Sequence, residues 1–208
     1  MQDPYKQLLS KIYSNSLLKK KNTTKALAED LHLTENYVRE LCDSMKEQGL
    51  ISELNDEFRL TSIGRSKIKV VFTGGVFDII HPGHVFALSS AKNLGDVLVV
   101  IIARDKTVLK NKGHSPFNSE EQRLELVKSL KFVDAAMLGS EANIFESVIK
   151  VKPDIIALGY DQKHDEFELE KEAKKYGLSI RIVRLETKMP NIKTSKIIED
   201  KKEIIDEF

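Results

Sequence analysis

The feature that most constrains the fold of this chain is a run of short, almost wholly apolar segments spaced between amphipathic ones. "IKVVFTG" (68–74), "DVLVVIIA" (96–103), "VDAAMLG" (133–139), "DIIALG" (154–159) and "SIRIVRL" (179–185) each have the length of a strand and lack polar alternation. Between them lie helical patterns: 82–95, "NSEEQRLELVKSLK" capped by Asn118 or Ser119, "NIFESVIKV" and "EFELEKEAKKYG". "TSKIIEDKKEIIDEF" reads as a closing helix. Strands with no polar face are buried on both sides, which requires a parallel sheet with helices on each face. The expected class is therefore α/β, a doubly wound parallel sheet that binds ligands at the C-terminal ends of its strands.

Residues 1–67 have a different rhythm. Tyr5, Leu8, Leu9, Ile12 and Tyr13 form a helical stripe, and residues 23–49 read as two further helices capped by Thr23 or Thr24 and by Thr34. His32 falls in the tight turn between them, and Gly49 closes the second. "ISEL" and "EFRL" flank an Asn-Asp turn, a hairpin signature. Three helices and a hairpin resemble a small winged helix-turn-helix domain, so the expected boundary is 1–67 and 68–208. The helix in the recognition position, 34–48, carries four acidic and two basic residues, the wrong sign for approach to phosphates. The run Lys19, Lys20, Lys21 and Lys25 reads as a solvated face. A packing, homodimer-forming or sensing role is favoured over DNA binding.

Composition sets outer limits. A net charge of +1 points to neither nucleic acid nor a membrane surface, and the longest strongly apolar run, "VLVVIIA", is too short to span a bilayer. A single cysteine, Cys42, excludes an internal disulfide and makes a reducing cytoplasm the natural home.

The chemistry concentrates in "FTGGVFDIIHPGH" (72–84), at the exit of the first strand of the α/β half. Gly74 and Gly75 permit close backbone approach to a ligand, and Pro82 suits a first helical turn. Gly83 removes a side chain where phosphate oxygens would crowd. His81 and His84, three apart, project from one face of a helix start whose unpaired N–H groups favour an anion. The same histidines taken singly would be packing or capping residues; together, after a glycine-rich strand end, they read as a phosphate site.

These residues resemble the G-x-F-D…H-x-G-H signature of the nucleotidyltransferase superfamily, whose members join a nucleoside triphosphate to an acceptor and release pyrophosphate. The resemblance extends over 68–208. It implies nucleotide contacts at Gly75, Val76, Phe77, Asp78, His81, Pro82, Gly83, His84, Arg123 and Asp161. It also matches Asp105 to an acidic position after the second strand, and Lys110 and Lys112 to a paired-lysine loop over the phosphates. "IKTSKII" matches the C-terminal motif, with Thr194 and Ser195 donating to the triphosphate and Lys188 near the usual arginine. Val76 for Thr, Lys193 for Ser and Lys188 for Arg depart from the pattern and alter the triphosphate grip. The resemblance implies a divalent cation, Mg²⁺ or another, held mainly by the phosphates.

Within the superfamily, "VVIIARDKTVLKNKG" and "PDIIALGYDQ" resemble the archaeal FAD synthetases, which implies ATP and FMN as substrates. A glycerol-3-phosphate cytidylyltransferase using CTP is the alternative within the fold. A flavin- or nucleotide-sensing DNA-binding regulator is the alternative of another class.

Overall fold

The computed structural model describes residues 3–141, 143–160, 162 and 164–186. The segment around Thr194 and Ser195, the expected closing helix, Lys188 and Asp161 lie outside them.

The amino-terminal region forms α1 (Pro4–Leu17), α2 (Thr24–Leu31), α3 (Glu35–Glu47), β1 (Ile51–Leu54), β2 (Glu57–Leu60) and the short α4 (Ser62–Ser66). Local chemistry sets the boundaries. Asp3, Thr23, Thr34 and Thr61 cap the four helices with their side-chain oxygens, and His32 ends α2 in a left-handed conformation. Asn55 and Asp56, at φ 52° and 59°, make the two-residue turn that lets β1 pair with β2. Arg39 and Lys46 of α3 are both held by Glu53 of β1, so the cations of that helix are already engaged.

The α/β part runs β3 (Val70–Gly75), α5 (Pro82–Lys92), β4 (Val97–Ile102), α6 (Asp105–Lys112), α7 (Glu120–Lys128), β5 (Ala135–Leu138), α8 (Ile144–Val151), β6 (Ile155–Leu158), α9 (Glu166–Lys175) and β7 (Arg181–Arg184). The five strands are all parallel in the order β5-β4-β3-β6-β7. The doubly wound sheet expected from the apolar runs is present. Alternate residues feed two cores. Val71, Leu98, Val100 and Ile102 pack with α5 and α7. Val70, Phe72, Val97 and Val99 pack on the opposite face with α8, α9 and the amino-terminal helices, including Leu8, Leu9 and Ile12 of α1.

Three strands begin with the same device. Asp96, Asp134 and Asp154 each precede a strand and accept a backbone N–H, from Lys69, Leu98 and Val70 respectively, at 2.6–2.7 Å. Each carboxylate also meets a cation: Lys6, Lys92 and Arg65 respectively. Lys6 and Arg65 come from the amino-terminal region, and Tyr13 adds a 2.6 Å hydrogen bond to the Val151 carbonyl. That region is thus fastened to the end of the sheet where the strands begin.

One element differs from expectation. The stretch carrying Lys110 and Lys112 is not a loop but α6, stopped by Gly113 at φ 77°. Only Val108 of that helix is buried, so it shows almost no apolar periodicity and its sequence looks like a solvated loop.

Candidate active site

The strand order places a switch point between β3 and β6, where the chain leaves in opposite directions and a crevice opens beyond their C-terminal ends. One wall is the turn from β3 into α5. His81 is the N-cap of α5, yet its ring does not cap the helix; the His81 carbonyl instead accepts from the His84 and Val85 N–H groups at 2.9 and 3.3 Å. Pro82 occupies the first helical position, as expected. The rings of His81 and His84 lie 3.9 Å apart, tilted by 30°. Both residues are half-buried, so the pair is not sealed in the core.

A third ring supports them. Phe77 packs 5.3 Å from His84 and holds a left-handed φ of 54°, which a non-glycine residue adopts only at some cost. Its ring also lies against Gly75: a Cβ there would sit 2.9 Å from the Phe77 ring. Gly75 is needed to admit Phe77, and Phe77 to seat His84. Phe77 is itself buried, at 7% exposure, so the structure gives it a supporting place rather than a ligand surface.

Asp78 and Arg123 also differ from the direct contacts expected of them. Asp78 is 7% exposed, and its carboxylate accepts the N–H groups of Phe117 and Asn118, both at 2.8 Å. Asn118 Nδ2 returns a bond to the Asp78 carbonyl at 2.7 Å. Asp78 therefore ties down the segment between α6 and α7. Arg123 is fully buried. Its guanidinium donates to the carbonyls of Asn118, Val76 and Ala103 and to Asp105 Oδ1, at 2.6–3.1 Å. It joins the ends of β3 and β4 from beneath and presents nothing to a ligand.

Asp105 is in turn tied to α7, accepting from the Glu120 N–H while its own N–H donates to Glu120. Burial pushes the Glu120 carboxyl up, but the Asp105 N–H and the Arg104 guanidinium outweigh it and hold it below its ordinary value. Lys110 and Lys112 are exposed in the last turn of α6. Two residues apart on a helix, they point in different directions and do not form a pair on one face.

The opposite wall contains residues not singled out in the sequence. Gln162 bridges the crevice, donating to the Gly74 carbonyl at 2.7 Å and accepting from the Gly159 N–H at 3.2 Å. Arg184 clamps the same loop through the carbonyls of Gly159, Gln162 and His164 and through Glu166. The only sequence signal for them was position: each stands at or just after the end of a strand on the binding edge.

The geometry is a glycine-lined strand end, a helix start and a close, tilted histidine pair at a parallel-sheet crevice, suited to an anionic ligand. Residues 72–200 match the cytidylyltransferase-like family model. The chain belongs to that family. Its similarity to named proteins is closer still. It is 53% identical over 121 residues to the FAD synthase of Archaeoglobus profundus, covering 58% of this chain and 76% of the relative. To the FAD synthase of Pyrococcus horikoshii it is 49% identical over 136 residues, covering 64% and 91%. Among solved structures it resembles a protein of Thermoplasma volcanium titled a lipopolysaccharide core biosynthesis protein, with 49% identity and a TM-score of 0.56. That match covers 58% of this chain and 98% of the other.

Proposed function

We propose that the chain transfers AMP from ATP to FMN, forming FAD and releasing pyrophosphate. The observation that carries this reading is the His81–His84 ring pair, 3.9 Å apart at the mouth of the first crossover. The FAD synthase relatives, near half identical, supply the choice of substrates.

In the proposed step, a phosphate oxygen of FMN attacks the α-phosphorus of ATP. The new P–O bond forms as the bond to the bridging α–β oxygen breaks, and that oxygen leaves with pyrophosphate. The FMN phosphate is already anionic, so no protein base is required. Catalysis is then positioning and charge stabilisation. His81 and His84 donate N–H groups to the α-phosphate and the departing oxygens, and the backbone from Gly75 to Gly83 approaches the chain of phosphates. Lys110, Lys112, Lys188, Thr194 and Ser195 are proposed to meet the pyrophosphate, and Asp161 the nucleoside. Lys110 and Lys112 serve this role only singly, or after a change in the end of α6.

Among the described residues, no three His, Cys, Asp or Glu side chains converge as a metal cage. The divalent cation we propose, Mg²⁺ or another, would be held mainly by the triphosphate and would neutralise the leaving pyrophosphate, while this chain's side chains and backbone groups position the reactants. No described helix is long and apolar enough to cross a membrane. We read residues 1–67 as a winged helix-turn-helix-like unit. Duplex DNA is not favoured as its partner because α3 is acidic and its two cations are held by Glu53.

The reading is tested by offering FMN or glycerol-3-phosphate with ATP or CTP, and measuring pyrophosphate release and the flavin product. FAD formed from FMN and ATP is expected. Pyrophosphate released only with CTP and glycerol-3-phosphate would replace the assignment.

A further inference from the structure

A second concavity lies far from the histidines. A cavity of ≈ 710 Å³ opens between the turn after α1, β2 and Arg65, and is lined by Lys19, Lys20, Lys21, Arg59 and Arg65 against one carboxylate, Glu57. Arg65 is already engaged by the Ile68 and Lys152 carbonyls and by Asp154, which leaves four cations and one acid around the concavity, where an anion would relieve their mutual repulsion. Other basic groups of this region are neutralised as well: Arg39 and Lys46 by Glu53, and Lys6 by Asp96. Among the described residues, Lys19, Lys20, Lys21 and Arg59 have no carboxylate within 4.0 Å.

The walls are set in advance. The Lys20 N–H donates to the Asn15 carbonyl at 2.8 Å, and Lys19 holds a left-handed φ of 58°. Asn22, 4% exposed, fixes the turn by donating to the Ile12 carbonyl and Ser16 Oγ, and its carbonyl accepts from the Phe58 N–H of β2. The basic turn and the basic strand are therefore joined by hydrogen bonds. Asn22 also lines the cavity, and its Oδ1 accepts no hydrogen bond among the described residues.

We propose that this cavity is a second nucleotide site, taking a nucleotide with at least two phosphates. The volume falls in the range of small-molecule pockets, roughly 300–1,000 Å³, and exceeds what one inorganic ion fills. The phosphates lie among the lysines and Arg59, and the nucleoside extends toward the open side of the concavity. A concave site beside an acidic α3 suits a free nucleotide better than a duplex backbone, although the phosphate chemistry is shared.

The location separates this site from the reaction centre. Arg65 donates to the Ile68 carbonyl and to Asp154, which receives the Val70 N–H at the start of β3. Gly75 ends the same strand, roughly 17–20 Å away at about 3.3 Å per residue. A ligand here touches the residue that anchors the lower end of the strand whose upper end leads to His81.

The test is calorimetric titration of the full chain with ADP, in low and moderate salt, alongside the Lys20→Glu/Lys21→Glu variant. Both lysines are exposed, and a thermal melt checks that the variant folds. One ADP per chain is expected to be lost, or its binding weakened at least tenfold, and the wild-type affinity at that site should fall with salt. Arg59→Gln, on the opposite wall, should weaken the same site and serves if the lysine variant is unstable. Unchanged stoichiometry and affinity in both variants would overturn the proposal. So would duplex DNA binding that the charge reversal abolishes while ADP binding is unaffected. FAD formation is assayed separately, so failure of the proposed reaction leaves this result readable.

Discussion

Arg123 Nη2 and Asp105 Oδ1 lie 2.6 Å apart, the arginine wholly enclosed and the aspartate side chain 40% exposed. The pair joins the end of β4 to α7, and the same guanidinium holds the Val76 carbonyl on the turn that leads to the histidines. Arg123→Lys cannot reproduce this fork, since one ammonium cannot reach four separated oxygens. The variant should lose about 3 kcal/mol, the low end for breaking a buried pair because Asp105 keeps some water. Urea denaturation measures it. FAD formation should fall through kcat as well as KM, because the turn moves without any loss of a ligand contact.

His84→Ala and His81→Ala test the reaction centre directly. Each should lower turnover in FAD formation by roughly 10²–10³, the usual cost of removing one donor to a developing charge. Thermal stability should change little, since both side chains are only half-buried. Near-wild-type turnover in either variant would remove that histidine from the proposed step.

Gly75→Ala should impair both stability and activity. Its Cβ would meet the Phe77 ring at 2.9–3.0 Å, so the ring must shift away from His84. The expected destabilisation is about 1–3 kcal/mol, typical of overpacking. Equilibrium unfolding reads the first effect and single-turnover kinetics the second.

Asp78→Ala should release the segment before α7 while leaving the sheet intact. Two N–H groups lose a charged acceptor, at a cost of about 1.5–3 kcal/mol each at most. Amide hydrogen exchange should accelerate at Phe117 and Asn118 and stay slow at Val99 and Val100.

The pH dependence comes from Glu120. Its folded carboxyl lies below the ordinary value of 4.5, so it stabilises the native state above that pH. That contribution is lost as pH falls through the depressed folded value. Wild type and Glu120→Gln should therefore differ in melting temperature at neutral pH and converge in acid below the ordinary carboxylate range.

Much of this architecture was legible because its signals are local. Apolar runs led by aspartate, as in "DVLVV" and "DIIAL", marked the strands, and Thr23, Thr34 and Ser119 cap their helices as single-residue chemistry predicts. What escaped depends on partners distant in the chain. Asp78 looks like a ligand group until Phe117 and Asn118, 39 and 40 residues on, are seen to occupy its carboxylate. Arg123 in "SEEQR" looks like a nucleotide contact until Val76, 47 residues earlier, is found against it. Helix α6 was missed for the opposite reason: it buries too little to leave a periodic trace.

The aspartates ahead of β4 and β6 serve two masters, a strand of the sheet and a cation from outside it. Severing the chain near residue 67 and keeping only the α/β half would strip Lys6 and Arg65 from those carboxylates, and would bare the apolar face now shared with Leu8, Leu9 and Ile12. A minimal enzyme trimmed to the catalytic half would present that apolar underside to water. The leading segment is, in this sense, masonry for the foundation of the sheet as much as an appendage to it.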